Sequence, residues 1–213
     1  MMIRIIDCKG GNAPTVAQAV RALGYRAKLA HGPLDLSEAT HIILPGAGNT
    51  KTIMSSLKSM SVIPKLEKVV RKKGVPLLAT GIGMQVLFEH SEENDTPCLG
   101  LLPGNVVKYD MEQPFAPQMG VYGCIFIKDT PLKSTSIDQC GDYYYHMNSF
   151  QVKPAEEDDI WAMADNDVDF VAAVQRDNIY GVQFRLERGG VSGRKIIEDF
   201  LELNREFKFE NNS

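Results

Sequence analysis

Long hydrophobic runs are missing from this 213-residue chain. No stretch approaches the ~18 consecutive apolar residues that a membrane-spanning helix needs. The N-terminus has neither the cationic region nor the apolar run of a secretory signal. A strong excess of one charge is also missing. Lys and Arg number 23 against 27 Asp and Glu, a net charge of −4, which argues against a nucleic-acid or membrane surface as the main partner. Cysteine is scarce: Cys8, Cys98, Cys124 and Cys140 are far apart and form no CxxC pair. The histidines, His31, His41, His90 and His146, lack metal-ligand spacing. These absences predict a cytoplasmic, reduced protein with no metal and no cofactor. Internal repeats and low-complexity segments are absent too.

What is present is an ordinary globular composition, 44% hydrophobic and 23% charged. "IRIID" (3–7) is a short β-type run followed by the loop "CKGGNAPT", after which Val16, Ala19, Val20 and Leu23 recur at helical spacing up to Gly24. "HIILPGAG" (41–48) is a second apolar strand ending in a glycine loop. Helical patterns fill roughly 51–60 and 63–73, with Pro64 in a first turn and Gly74 as a stop. The cluster Lys68, Arg71, Lys72 and Lys73 falls at that helix end, where cations complement the helix dipole. "VPLLA" (75–79) is a third strand, and "IGMQVLFE" opens a helix. This rhythm predicts a parallel sheet with right-handed crossovers. From about 106 to 184 short β-type runs dominate, expected as hairpins on the sheet's edge or as a small second sheet. "SGRKIIEDFLELNREF" (192–207) reads as a closing amphipathic helix capped by Ser192. The expectation is a single α/β domain over 1–207, with a mixed, mainly parallel sheet flanked by helices, extra antiparallel strands and a frayed tail at 208–213. In such sheets sites form beyond the carboxyl ends of the strands, which singles out the loops 45–49, 80–83 and 184–189.

The middle loop, within "LATGIGMQ" (78–85), has the layout of a catalytic elbow, where a strand turns sharply into a helix and raises a nucleophile. Its apex, Gly81, has no side chain. Around it, "IIDCKGGN", "ILPGAGNT", "GIGMQ", "CLGLLPGNVV", "APQMG", "YYYHMNSF" and "FVAAVQRDNIYGVQF" occur in an order that resembles the class I glutamine amidotransferases. Within that family the resemblance is strongest to the glutaminase subunits of imidazole glycerol phosphate synthase, and it runs over most of the chain. It implies the flavodoxin-like amidotransferase fold. It further implies a cysteine thiolate attacking a glutamine side-chain amide, a histidine moving the proton and a glutamate orienting it. Ammonia would then pass to a synthase partner.

Position by position, the resemblance puts the nucleophile at Gly81 and the family's His-Pro-Glu at Arg185-Leu186-Glu187. Of the triad only Glu187 is retained. The implied glutamine pocket and oxyanion site comprise Gly46, Ala47, Gly48, Ile82, Gly83, Gln85, His146 and Met147. Glycine cannot be a nucleophile, and a guanidinium cannot serve as a general base near neutral pH. Triad members act as a unit, so either loss alone removes orders of magnitude in rate. Cys8, after the first strand, is the one cysteine placed to stand in; Cys98, Cys124 and Cys140 are read as packing residues. Glycine at the apex also relieves the strain of the elbow, and Arg185 and Glu187 are positioned to pair across it. The expectation is a catalytically inactive subunit that docks on a synthase, a (β/α)8 barrel or another amidating enzyme, and retains room for glutamine or a similar small amide. The alternatives are a working glutaminase supplying ammonia for histidine biosynthesis or sugar amination, and a different chemistry in the same pocket with Arg185 holding an anion.

Overall fold

The computed structural model describes residues 1–110, 117–132, 142–165 and 169–203. In its first half strands and helices alternate: β1 (Ile3–Ile6), α1 (Ala13–Ala22), β2 (Ala27–Ala30), β3 (His41–Gly46), α2 (Thr50–Ser59), α3 (Ile63–Glu67), β4 (Leu77–Gly81) and α4 (Ile82–Gln85). Local chemistry sets several ends. Pro14 and Pro64 occupy the first turns of α1 and α3, where their missing N–H costs nothing. The Asn49 side chain caps α2 by accepting from the Thr52 N–H at 2.8 Å. Gly24 and Gly74 take left-handed conformations where the chain leaves its helices. Strand β2 was not legible, because "AKLA" is short and lacks the β-branched residues that mark a strand.

The second half supplies β5 (His90–Ser91), β6 (Thr96–Pro97), β7 (Gly104–Lys108), β8 (Gln118–Phe126), β9 (Asp142–Asn148), β10 (Phe150–Pro154), β11 (Ile160–Asp165), β12 (Phe170–Arg176), β13 (Ile179–Val182) and α5 (Gly190–Glu202). Among the described residues the main sheet runs β2-β1-β3-β4-β13-β12-β11-β8-β9. The five strands from β2 to β13 are parallel to one another. The remaining pairings are antiparallel. A second sheet, β10-β7-β5-β6, covers one side. Both arrangements expected for the β-rich half are therefore present.

Buried side chains fall in two groups, one on each face of the main sheet. One gathers Val16, Val20, Trp161, Phe184 and Phe200, the last on α5. The other gathers Ile53, Leu57, Leu66, Val70 and Phe88 beneath α2 and α3. Strand β3 is buried at every position, as a parallel strand covered on both faces must be, and it reads as a continuous apolar run for that reason. Phe184 stacks on Tyr144 at 3.9 Å between ring centroids and meets His146 edge-on at 5.5 Å.

Two sequence expectations are corrected, and a third is refined. The helix after the elbow is only four residues long, because the Leu87 and Phe88 N–H groups tighten onto Met84 and Gln85 and turn the chain toward β5. The helix expected over 63–73 is present, and its continuation over Lys68–Lys72 is a π-helical turn, where Arg71 reaches the carbonyl oxygens of Gly100 and Leu101. Helix α5 begins at Gly190 rather than at Ser192, which lies inside its first turn, and it ends at Glu202. The expected helical residues 204–207, the tail 208–213 and Cys140 lie outside the described residues. Among the described residues no helix is long and apolar enough to cross a membrane.

Phe184→Ala is expected to cost about 3–5 kcal/mol, the usual range for emptying a buried phenylalanine site. Urea denaturation followed by far-UV circular dichroism measures it, and a loss below ~1 kcal/mol would remove Phe184 as the hub of this aromatic layer.

Candidate functional site at the strand-to-helix elbow

Strands β3, β4 and β13 run in parallel and end at one rim of the sheet, with Gly46 in register with Gly81 and Thr80 with Val182. At Gly81 the chain turns directly from β4 into α4 with φ 60° and ψ −124°. That backbone suits glycine and strains any L-side chain. The predicted elbow is therefore present.

The elbow is locked by close backbone contacts. A Cβ at Gly81 would stand 2.7 Å from the carbonyl oxygen of Gly46. A Cβ at Gly46 would meet the Gly83 nitrogen at 2.1 Å, and one at Gly83 the Leu44 carbonyl oxygen at 2.0 Å. Three glycines thus let β3 and the elbow touch main chain to main chain. The Gly46 carbonyl fills space that a nucleophile's side chain would need.

The loop after β13 holds Arg185 and Glu187, the residues that the resemblance assigns to the base and acid positions. Glu187 is almost fully buried, with 3% of its side chain exposed, and Arg185 lies beside it at 3.8 Å, Nη1 to Oε1. The same Oε1 accepts a hydrogen bond from Asn12 Nδ2 at 2.6 Å. Glu187 Oε2 and Asn12 Oδ1 have no hydrogen-bond partner among the described residues. The Arg185 backbone N–H donates to the Tyr145 carbonyl oxygen at 3.2 Å, and the Arg188 guanidinium lies over the Tyr145 ring at 5.8 Å. Every polar group of the Arg185 side chain is a donor, so it can hold the carboxylate but cannot accept a proton from a nucleophile. Asn12 was missed in the sequence, because its approach to Glu187 spans 175 residues.

The expected pocket residues divide. Gly46, Gly81, Ile82 and Gly83 come together at the elbow, and Ala47 and Gly48 follow on the β3 loop, Gly48 with φ +88°. Gln85 turns inward, donating to Gln183 Oε1 at 3.0 Å and to the Phe150 carbonyl oxygen at 3.2 Å. His146 and Met147 are neighbours on β9, so their side chains point to opposite faces. His146 is buried against Tyr122, Phe170 and Phe184, whereas Met147 projects outward.

Cys8 is buried, and burial pushes its thiol up to about 11, so it is not an activated nucleophile. Cys98 is likewise raised to about 11 by burial. Cys124 makes a contact that its reading as a packing residue did not include: its Sγ lies 3.6 Å from His146 Nε2. Burial lowers His146 to about 4, leaving a weak base. Both residues are shut off from solvent, so the pair is closed to a substrate in this conformation. Only the β8–β9 register brings them together, across the diagonal of the Tyr122–Tyr144 pair.

The profile of the family described as glutamine amidotransferase class-I matches residues 4–203. The chain is 33% identical over 204 residues to imidazole glycerol phosphate synthase subunit HisH 2 of Legionella pneumophila (strain Paris), covering 95% of this chain and 98% of that protein. It is 35% identical over 203 residues to subunit HisH of Dehalococcoides mccartyi (strain ATCC BAA-2266 / KCTC 15142 / 195), covering 95% and 97%. Among solved structures, that of PurLQS from Thermotoga maritima superposes with a TM-score of 0.74 at 18% identity, covering 94% of this chain and 97% of that one. A structure described as a glutamine amidotransferase gives 0.73 at 16% identity, covering 95% and 98%. These structural likenesses bear on the fold alone.

Gly81→Ala is expected to destabilise the protein by about 1–3 kcal/mol through backbone strain at the elbow, with the Gly46 contact adding to it; chemical denaturation reads the change. His146 gives a pH signature. Its folded value of about 4 lies below the ordinary 6.5, so the unfolded chain takes up a proton first as pH falls. Stability should drop between pH 6.5 and 4 by up to roughly 3 kcal/mol and level off below that. His146→Gln should flatten this segment of the stability curve, and an unchanged slope would contradict the assignment.

Proposed function

Because this chain belongs to the class I glutamine amidotransferase family, we propose that it is an amidotransferase subunit without glutaminase activity, which binds a synthase partner and stabilises or regulates it. The observation that carries the reading is the elbow itself: glycine stands at the nucleophile position, and the Gly46 carbonyl lies where a side chain would project. Arg185 at the base position is a second, independent defect, because its guanidinium has no lone pair free to take a proton. Glu187 is retained, but it is held by Asn12 and Arg185 rather than by an imidazole.

A partner surface supports the subunit role. Alternate residues of β8 and of its continuation, Met119, Val121, Ile125 and Ile127, point to one face together with Tyr143 and Met147 of β9. Register places Met119 opposite Met147 and Gly123 opposite Tyr143. These apolar side chains are 48–61% exposed. A row of that kind on an outer pair of strands marks an interaction site more readily than a solvated face. Tyr145, on the same face, has the Arg188 guanidinium over its ring, and its carbonyl oxygen accepts from the Arg185 backbone N–H. The docking face therefore abuts the altered site. The relatives are named as subunits of imidazole glycerol phosphate synthase, so the proposed partner is a synthase subunit, with a (β/α)8 barrel as the leading form. With its own glutaminase lost, the complex would draw on free ammonia or on another source.

Two measurements test this. The purified protein, alone and with its partner, is expected to release no glutamate from glutamine above the blank. Release that Glu187→Gln or Cys124→Ala abolishes would overturn the reading. Val121→Asp combined with Ile125→Asp should weaken partner binding at least tenfold, about 1.4 kcal/mol, while leaving the melting temperature within a few degrees.

A further inference from the structure

Methionine sulfurs are placed unevenly among the described residues. Met54 and Met84 are buried, and Met2, Met60 and Met163 are half-buried. Apart from Met1, the exposed methionines are Met119 on β8, 60% exposed, and Met147 on β9, 48% exposed. The β8–β9 register sets these two directly opposite each other. Residues paired in this way are neighbours on one face of the sheet, with Cβ atoms about 4.5–5.5 Å apart. Both belong to the apolar row that Val121, Ile125, Ile127 and Tyr143 complete. The exposed thioethers of the strands thus fall together, inside the face already assigned to a partner.

A thioether is the one group in this row that a mild oxidant changes reversibly. The sulfur lone pair takes one oxygen of hydrogen peroxide, the O–O bond breaks, and the other oxygen leaves as water with both peroxide protons. Sulfur gives up two electrons and the peroxide gains them. The product sulfoxide is polar where the thioether was apolar. A sulfoxide reductase reverses the step, two thiols going to a disulfide while the oxygen leaves as water. The Tyr145 hydroxyl already donates to the Met147 sulfur at 3.8 Å. A thioether is a weak acceptor and a sulfoxide oxygen a strong one, so oxidation gives that hydroxyl a better partner. Tyr145 is also the residue whose carbonyl oxygen holds the Arg185 N–H and whose ring lies under the Arg188 guanidinium.

We propose that Met119 and Met147 form a reversible oxidation switch on the β8–β9 face: as thioethers they complete the apolar row, and as sulfoxides they turn it polar and release the partner. The inference rests on the reading of this face as the synthase-docking surface and adds its regulation. Burying a polar group against an apolar partner without a compensating hydrogen bond is unfavourable, and here two such groups would stand side by side. The free subunit is the form that reacts, because a seated partner covers both sulfurs. Met54 and Met84, packed in the core, serve as internal controls.

Hydrogen peroxide applied to the free full-length protein, followed by peptide mass spectrometry, tests the chemistry. Met119 and Met147 should each gain one oxygen at least tenfold faster than Met54 and Met84. The second measurement is affinity for the synthase subunit that co-purifies with the untreated protein, with peroxide removed before mixing. Oxidation should weaken that affinity at least tenfold, and methionine sulfoxide reductases A and B, one for each sulfoxide epimer, should restore it. In Met119→Leu/Met147→Leu the affinity before and after peroxide should be the same, whatever its starting value. An unchanged melting temperature shows that the treated protein is still folded. Equal oxidation of exposed and buried methionines, an affinity that oxidation does not change, or an equal loss in the leucine variant would overturn the switch and leave the subunit role in place. An untreated protein that binds no synthase subunit would overturn the subunit role itself, and the switch with it.

Discussion

The architecture of the elbow depends on the contact of two main chains without intervening side chains. Gly46, Gly81 and Gly83 let the end of β3 rest against the turn between β4 and α4. Hydrogen bonding along the parallel ladder holds the strands in register, and the glycines convert that register into direct contact. Dense packing of this kind leaves little room for adjustment. A side chain at position 81 therefore conflicts with its backbone conformation and with the Gly46 carbonyl at once. The elbow keeps its shape for the same reason that it cannot hold a thiol in this arrangement.

The loop after β13 follows a different logic. Here charged and polar side chains hold one another. Glu187 remains a buried acceptor, and Asn12 and Arg185 supply donors that hold it in place. A carboxylate buried alone would be costly, so its neighbours maintain the loop whether or not catalysis occurs. One carboxylate oxygen of Glu187 is held in this way, while Oε2 has no hydrogen-bond partner among the described residues. The aromatic layer of Tyr144, His146 and Phe184 fixes the segment just before Arg185, and the Tyr145 carbonyl ties Arg185 itself to β9. The loop carrying Arg185 and the exposed apolar face of β8 and β9 share this one strand. A partner seated on that face would press on the strand that positions the loop.

Much of the fold was legible in the residues, and the reasons differ by element. Strands β3 and β4 announce themselves as continuous apolar runs, because both of their faces are covered. Helices α1 and α2 show the amphipathic spacing of elements with one buried side. The short β2 did not show, since its four residues derive their conformation from pairing with β1 rather than from their own preferences. The four-residue α4 was overestimated, because apolar residues in Val86–Phe88 continue a helical pattern while tertiary contacts turn the chain away. At the site, glycine spacing exposed the elbow, and the absence of a side chain at Gly81 required no structure to be noticed.

The amino-acid sequence by itself determined what the rim can and cannot do by proton transfer and nucleophilic attack. Those are properties of the groups present, and neither glycine nor a guanidinium changes its chemistry through packing. Tertiary structure alone decided which groups meet. Asn12 reaches Glu187 and Cys124 reaches His146 only because strand register and crossover connections bring distant segments together. Alternation along β9 sends His146 inward and Met147 outward, so two residues adjacent in the chain serve opposite faces. Chemistry is written residue by residue, whereas proximity comes from the simultaneous packing of the whole sheet.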